Sequence, residues 1–432
     1  MKELLTISLY RLLLPVLFIL AFPGWLLKML RRGGFGSGLQ ERIGIYTSAP
    51  DFEPSGAVHF HAISVGETIL ALKLIREWSS QFPDTRIVLA VGTSTAHDLA
   101  VGQHLPQLRV TYIPLDFPWM IGNYLRRFEP SQFILLEGDI WPNFLRIANN
   151  QQIPVKLANA RVSPRSSRRF LRFAPILRPF FSKISSVCIQ EIEHASLWQS
   201  LGIAPQNIHH TGSIKFDTES TVAPVKSQEF TDILAEFGEN RPIILAASTF
   251  PGEEVFLTEA IWNANPEALP VIVPRHAERR SEVLSTLTQA GFQVTLRTNI
   301  SDSAPERKTE KAVLIIDTTG ELATWTSHAD IVIIGKSFLS KGGQNPAEAI
   351  LARKPLILGP NMQNFQPLVR NLISSGAVLT ARTPDEISSA IRIATVPEEA
   401  EKLTSKAFSV LSEHHGATKR HLNFLQQTPD HA

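Results

Sequence analysis

VHFHAISVGETILALKLI, residues 58–75, changes its period halfway, and that change decides the fold. Residues 58–63 mix β-branched and aromatic side chains in the alternation of a strand. From Thr68 the apolar positions Ile69, Leu70, Leu72, Leu74, Ile75 and Trp78 mark one face of an amphipathic helix. Ser64-Val65-Gly66-Glu67 lies between the two, so a single acid stands at a strand-to-helix turn. Open α/β sheets collect their ligands at the carboxyl ends of strands, which is where such a turn sits. Two roles for Glu67 are open at this point. It acts on a ligand, or it complements the positive end of the helix.

The alternation continues outward from this stretch. Strand patterns at 87–91, 133–136, 155–158 and 186–189 each end in a polar turn that opens a helix. Repeated β-turn-α units predict a mostly parallel sheet. Residues 218–228 are polar, contain Pro224 and have no clear period, as expected of a linker. The pattern then restarts, with strands at 243–246, 271–273, 313–316, 331–334 and 356–358. A chain of 432 residues suits two such domains. The expected organisation is a membrane anchor over 1–32, a Rossmann-like domain over 33–217, the linker over 218–228, and a second Rossmann-like domain over 229–432. Two doubly wound domains facing a cleft is the α/β architecture this implies.

Composition narrows the class. Apolar content of 44% and charged content of 19% describe a globular chain with a sizeable core. A net charge of +2 gives no global nucleic-acid signature, and no nucleic-acid module stands out. Cys188 is the single cysteine, so intrachain disulfides and cysteine-based zinc sites are excluded. Residues 12–27 form an uncharged, mostly apolar run, slightly short of the about 20 residues a full span needs. Lys28, Arg31 and Arg32 follow at once, which places the body of the protein on the cytoplasmic side. No A-x-A site ends the run, against a cleaved signal peptide. A buried core helix is the alternative to an anchor.

Several turns carry candidate chemistry. Gly342-Gly343-Gln344-Asn345-Pro346-Ala347-Glu348 precedes a helix, and paired glycines let main-chain N–H groups approach an oxyanion closely. Glu348 is placed to accept from ribose hydroxyls. Pro274-Arg275-His276 adds a planar cation suited to phosphate, and Ser248-Thr249 adds hydroxyls at a third strand end. Both serve equally as a solvated basic turn and a helix cap. Arg161, Arg165, Arg168, Arg169 and Arg172 concentrate positive charge without nearby acids in the sequence, which suits a phosphorylated acceptor or an anionic membrane surface. His59 and His61 share one face of a strand, yet no third ligand stands at a recognisable spacing, so packing is the favoured role. No metal site and no cofactor are expected.

Taken in order, these turns resemble the Kdo (3-deoxy-D-manno-octulosonic acid) transferases of lipopolysaccharide assembly. The matching pieces are HAISVGE at 61–67, YIPLDFP at 112–118, IWPN at 140–143, NARVSPRS at 159–166, IKFD at 214–217, PRHAER at 274–279, DTTGEL at 317–322 and GGQNPAE at 342–348. The resemblance implies a GT-B glycosyltransferase fold and an inverting transfer of Kdo from CMP-Kdo to a lipid A precursor on the cytoplasmic face of the cell inner membrane. It implies Glu67 as the catalytic base. By the resemblance Arg275, His276, Gly343, Asn345 and Glu348 would hold the CMP part of the donor, and the turn residues Ser248, Thr249 and Gly342 join them as donor-site candidates. Ser64, Gly66, Arg161 and Arg165 would serve the acceptor. A nucleoside monophosphate leaving group carries less charge than a diphosphate, so a metal is not obligatory. The chain departs from the family pattern at Phe250 and Gln344, where His is usual, at Ser213 and Asn361, and at Gly138-Asp139. These departures keep two alternatives open, a paralogous transferase with another nucleotide-sugar donor and a non-catalytic membrane-associated lipid-binding protein.

Overall fold

Runs such as Ile87–Val91 and Ile331–Ile334 are apolar on both faces, and only a parallel sheet covered by helices on both sides buries them fully. Two such sheets form in the computed structural model, which describes residues 2–31, 38–46, 54–138, 140–217, 225–300 and 310–427. The first sheet contains β1 (Val58–Ala62), β2 (Ile87–Val91), β3 (Leu108–Tyr112), β4 (Gln132–Leu136), β5 (Val155–Ala160), β6 (Ser186–Ile189) and β7 (Ile208–His210). The second contains β8 (Ile243–Thr249), β9 (Leu269–Pro274), β10 (Gln293–Leu296), β11 (Ala312–Ile315), β12 (Ile331–Ile334), β13 (Leu356–Leu358) and β14 (Leu379–Thr380). Their orders are β3-β2-β1-β4-β5-β6-β7 and β10-β11-β9-β8-β12-β13-β14, and the paired strands are parallel.

Each order has one place where the chain stops adding strands on one side and begins on the other. In the first sheet it lies between β1 and β4, in the second between β8 and β12. Loops diverge there and leave a crevice for ligands.

The chain divides into two compact units, residues 1–217 with 416–432, and residues 218–415. The second domain therefore does not extend to residue 432, as the sequence suggests. The last helix, Ala417–Leu425, belongs to the first unit because that unit holds both of its ends and its middle. Asp217 accepts the N–H groups of Gly416 and Thr418, both at 2.7 Å. The buried Lys156 ammonium donates to the carbonyls of Leu425 and Gln427, both at 2.6 Å. His421, fully buried, takes the Asn159 N–H on Nε2 at 2.9 Å. Much of the expected linker, 218–224, lies outside the described residues.

Lys2–Arg31 is one helix, and Glu3–Gly24 within it is long and apolar enough to cross a membrane. Its outward leucines stay exposed, Leu5 at 74%, Leu12 at 70% and Leu20 at 74%. The opposite face is held to the first unit. Ile7 is buried, the Tyr10 hydroxyl donates to Asp116 at 2.9 Å, and Arg11 donates to Asn143 at 2.7 Å.

Candidate active site

Ser64 caps the helix Val65–Gln81 and Glu67 stands at its third position, a serine and a glutamate at capping-box spacing. The two side chains satisfy each other. The Glu67 N–H donates to Ser64 Oγ at 3.3 Å, the Ser64 hydroxyl donates to Glu67 Oε1 at 2.8 Å, and the Ile63 N–H donates to Oε2 at 2.8 Å. These bonds fix the orientation of the carboxylate. Glu67 is largely buried and lines a small cavity of about 10 Å³ with His61, Ile63, Ile113, Leu136 and Trp141. Glu67 follows β1 and Leu136 ends β4, so the cavity opens at the crevice of the first sheet. Glu67 thus complements the start of the helix, and the same cap holds its carboxylate at the cavity wall.

Trp141, which the sequence reading passed over as part of IWPN, is half-exposed in this wall. Its position follows from Asp116. That buried carboxylate accepts the N–H groups of Asn143 at 3.0 Å and Phe144 at 2.8 Å and so caps the helix Pro142–Asn150 that Trp141 precedes. Burial pushes the Asp116 carboxyl up to about 6, against the lowering effect of its hydrogen bonds. His59 and His61 pack among Tyr124, Phe133 and Phe144, and burial holds both imidazoles neutral. Among the described residues no three metal-ligating side chains stand together.

Arg161 follows β5 and stands 3.5 Å from Glu137, which follows β4. The arginine run is therefore not without an acid, because the sheet brings in a carboxylate 24 residues away in sequence. Lys215 joins them, and burial together with the nearby Arg161 lowers its pKa. Arg165 lies exposed in the first turn of the helix Pro164–Arg172. Gly66 is exposed in the turn before Glu67. Asp139 lies outside the described residues.

In the second unit the turns after β8, β9 and β12 converge. Burial raises the Glu348 pKa, and the charge of the Arg275 guanidinium opposes the rise. The His276 and Phe250 rings meet edge to face with centroids 6.2 Å apart, and the Lys336 ammonium stands 4.4 Å above the Phe250 ring. Glu253, fully buried, ties two of the turns by accepting the N–H groups of Phe250 at 3.0 Å, Lys336 at 2.6 Å and Phe338 at 3.1 Å. Gly335 permits their close approach, since a Cβ there would come within 2.6 Å of the Ser248 carbonyl oxygen.

Three expectations change here. Thr249 is fully buried and its hydroxyl donates to Glu254 at 2.9 Å, so it supports the turn and does not face a ligand. Ser248 beside it is nearly buried, with a left-handed φ of 57°. The N–H groups of the glycine turn are occupied within the protein, Gly342 by Gln363 Oε1 at 2.9 Å and Gly343 by the Lys336 carbonyl at 3.0 Å. The glycines are needed for shape: Gly343 has φ 71°, and a Cβ there would strike Met362 Sδ at 2.4 Å. The helix that follows, Ala347–Leu351, is five residues long and has little dipole to offer. Asn345 Oδ1 accepts the Ala347 N–H at 3.2 Å where this helix begins.

Residues 37–218 match the family model described as 3-deoxy-D-manno-octulosonic-acid transferase. The 3-deoxy-D-manno-octulosonic acid transferase of Haemophilus influenzae is 30% identical over 94% of this chain and 95% of its own. That of Bordetella pertussis is 31% identical over 93% and 95%. Among solved structures, the UDP-GlcNAc 2-epimerase of Neisseria meningitidis bound to UDP-GlcNAc superposes with a TM-score of 0.55 at 15% identity, covering 86% of this chain and 100% of that one. That likeness shows the fold, two doubly wound domains of the GT-B type.

Proposed function

Because the chain belongs to the 3-deoxy-D-manno-octulosonic acid transferase family, we propose that it moves Kdo from CMP-Kdo to a lipid A precursor in lipopolysaccharide biosynthesis. The observation that carries the reading is the placement of Glu67, a carboxylate held by a capping box at the crevice of the first sheet, in a cavity edged by Trp141. In this reading an acceptor hydroxyl gives its proton to Glu67 as its oxygen attacks the anomeric carbon of the donor. The bond to the CMP phosphate breaks, the electron pair leaves with CMP, and the anomeric configuration inverts. General-base help of this kind is worth about 10²–10⁴-fold in rate.

Arg275 carries the charge that meets the departing phosphate, and Glu348 accepts from the ribose. Arg161 and Arg165 face the acceptor's anionic groups from the first unit. The exposed leucines of the N-terminal helix support seating on a membrane, which we assign to the cytoplasmic face of the inner membrane.

Incubation of the purified protein with CMP-Kdo and a tetraacylated lipid A precursor, followed by mass spectrometry of the lipid, tests the reading. A mass gain by Kdo units is expected. An unchanged lipid together with tight binding of a different nucleotide would overturn it.

A further inference from the structure

Lys336 occupies a place in the second unit that none of the roles above accounts for. It follows β12 and Phe250 follows β8, and these are the neighbouring strands at which the sheet order reverses. Its ammonium lies over the Phe250 ring, and its stem runs beside the glycine turn, where a Cβ on Gly342 would stand 3.7 Å from Lys336 Cε. One side chain thus spans from its own turn to two others that bound the crevice.

Five of the main-chain donors around it are already engaged. The Lys336, Phe338 and Phe250 N–H groups go to Glu253, the Gly342 N–H to Gln363, and the Gly343 N–H to the Lys336 carbonyl. An acidic oxygen entering this crevice therefore meets side-chain donors. Among the described residues no carboxylate pairs with the Lys336 ammonium. The Phe250 ring face attracts the cation without neutralising it, and so aims a charge that remains available.

We propose that Lys336, oriented by Phe250, is an anion-binding residue of the donor site that contacts an acidic oxygen of the nucleotide sugar. The inference rests on the donor reading above and deepens it. Two acidic groups of such a donor fit the chemistry, the phosphate that links nucleotide to sugar and the carboxylate of the sugar itself.

Titration calorimetry with CMP and with CMP-Kdo, in the full chain without acceptor, separates them. Lys336→Gln weakens CMP-Kdo binding by about 10- to 100-fold, the range of a charge-assisted hydrogen bond. A parallel loss for CMP assigns the contact to the phosphate, and an unchanged CMP affinity assigns it to the carboxylate. Lys336→Arg restores most of the affinity, which a collapsed fold would not allow. Phe250→Leu keeps the apolar bulk, removes the ring face, and costs about two- to fivefold. Wild-type affinity of Lys336→Gln for both ligands overturns the inference and leaves the donor reading standing. A wild-type chain that binds neither ligand overturns the donor reading and this inference with it.

Discussion

At the scale of the residue, Glu67 joins a structural and a chemical task, and substitutions separate them. Glutamine at this position still accepts the Ile63 N–H through its carbonyl oxygen, while its amide N–H donates to the Ser64 hydroxyl oxygen in place of the bond the carboxylate accepted, so the helix start survives. It cannot take a proton at neutral pH. Glu67→Gln is expected to unfold in urea at the wild-type midpoint while transfer falls by about 10²–10⁴-fold. Ser64→Ala does the opposite. It removes the cap from Val65–Gln81, costs about 0.5–2 kcal/mol of stability, and leaves the carboxylate in place with a smaller loss of turnover. Wild-type turnover in Glu67→Gln would reduce this residue to its capping role. The presence of an acid at this turn was legible in the sequence. The pairing with Ser64 was not read there, although serine and glutamate three apart before an apolar run is the signal that carries it. The engagement of Thr249 and of the glycine N–H groups was not legible, because Glu254 and Gln363 reach them only after folding.

At the scale of the element, the strands that sequence reading found are the interior ones. Those it passed over, β3, β7, β10 and β14, are the edges of the two sheets. An edge strand is covered on fewer sides, and LRVTY, IHH, QVTL and LT carry several half-exposed residues where the inner strands are buried along nearly their whole length. Their apolar signal is therefore weak for a physical reason. The last helix was misassigned for another, since chain order does not show that residues 416–427 return to the first unit.

That return makes the helix sensitive to acid. Nε2 of His421 accepts a main-chain N–H and Nδ1 faces the Ala417 carbonyl at 2.8 Å, so the ring is held neutral with its proton on Nδ1. Burial lowers its pKa to about 4, with Arg420 acting in the same direction and Asp217 against it. An unfolded histidine takes its proton near about 6.5. Between these values the unfolded chain binds the extra proton, so acidification favours unfolding. The contribution is whole above about pH 6.5 and is lost as pH falls through about 4, roughly 3 kcal/mol in all. Urea unfolding at pH 7 and pH 4.5 should show wild type losing more stability than His421→Gln, which starts lower and changes less. Parallel losses in both would place the acid sensitivity elsewhere.

At the scale of the whole molecule, the N-terminal helix divides its two faces between protein and surroundings. Ile7, Tyr10, Arg11 and Phe18 recur at helical spacing toward the first unit, where Phe18 packs against Phe117 at 5.8 Å. In the sequence Tyr10 and Arg11 look like breaks in an apolar run, whereas in the fold they fasten it to Asp116 and Asn143. The leucines between them stay uncovered by protein. The helix Ala174–Phe181 packs beside it, and Lys183 pairs with Glu3 at 3.4 Å. That places exposed Phe173 and Ile176, and the arginine-rich helix before them, in the same unit as the leucine face.

In the membrane seating proposed above, apolar contact and surface charge would make separable contributions. Each leucine withdrawn from water is worth about 1.5–3 kcal/mol, and each cation near an anionic surface about 1 kcal/mol that salt screens. Replacing Leu9, Leu13 and Leu17 by serine leaves the docking residues untouched, so both units fold as before. Flotation with anionic vesicles should fall by more than about 100-fold at any salt concentration. Replacing Arg165, Arg168 and Arg169 by glutamine should weaken flotation only at low salt. Arg11→Ala should loosen the helix from Asn143, seen as faster proteolysis of the first unit, and leave flotation unchanged. Full flotation of the serine variant would mean that this helix is not what holds the protein to a bilayer.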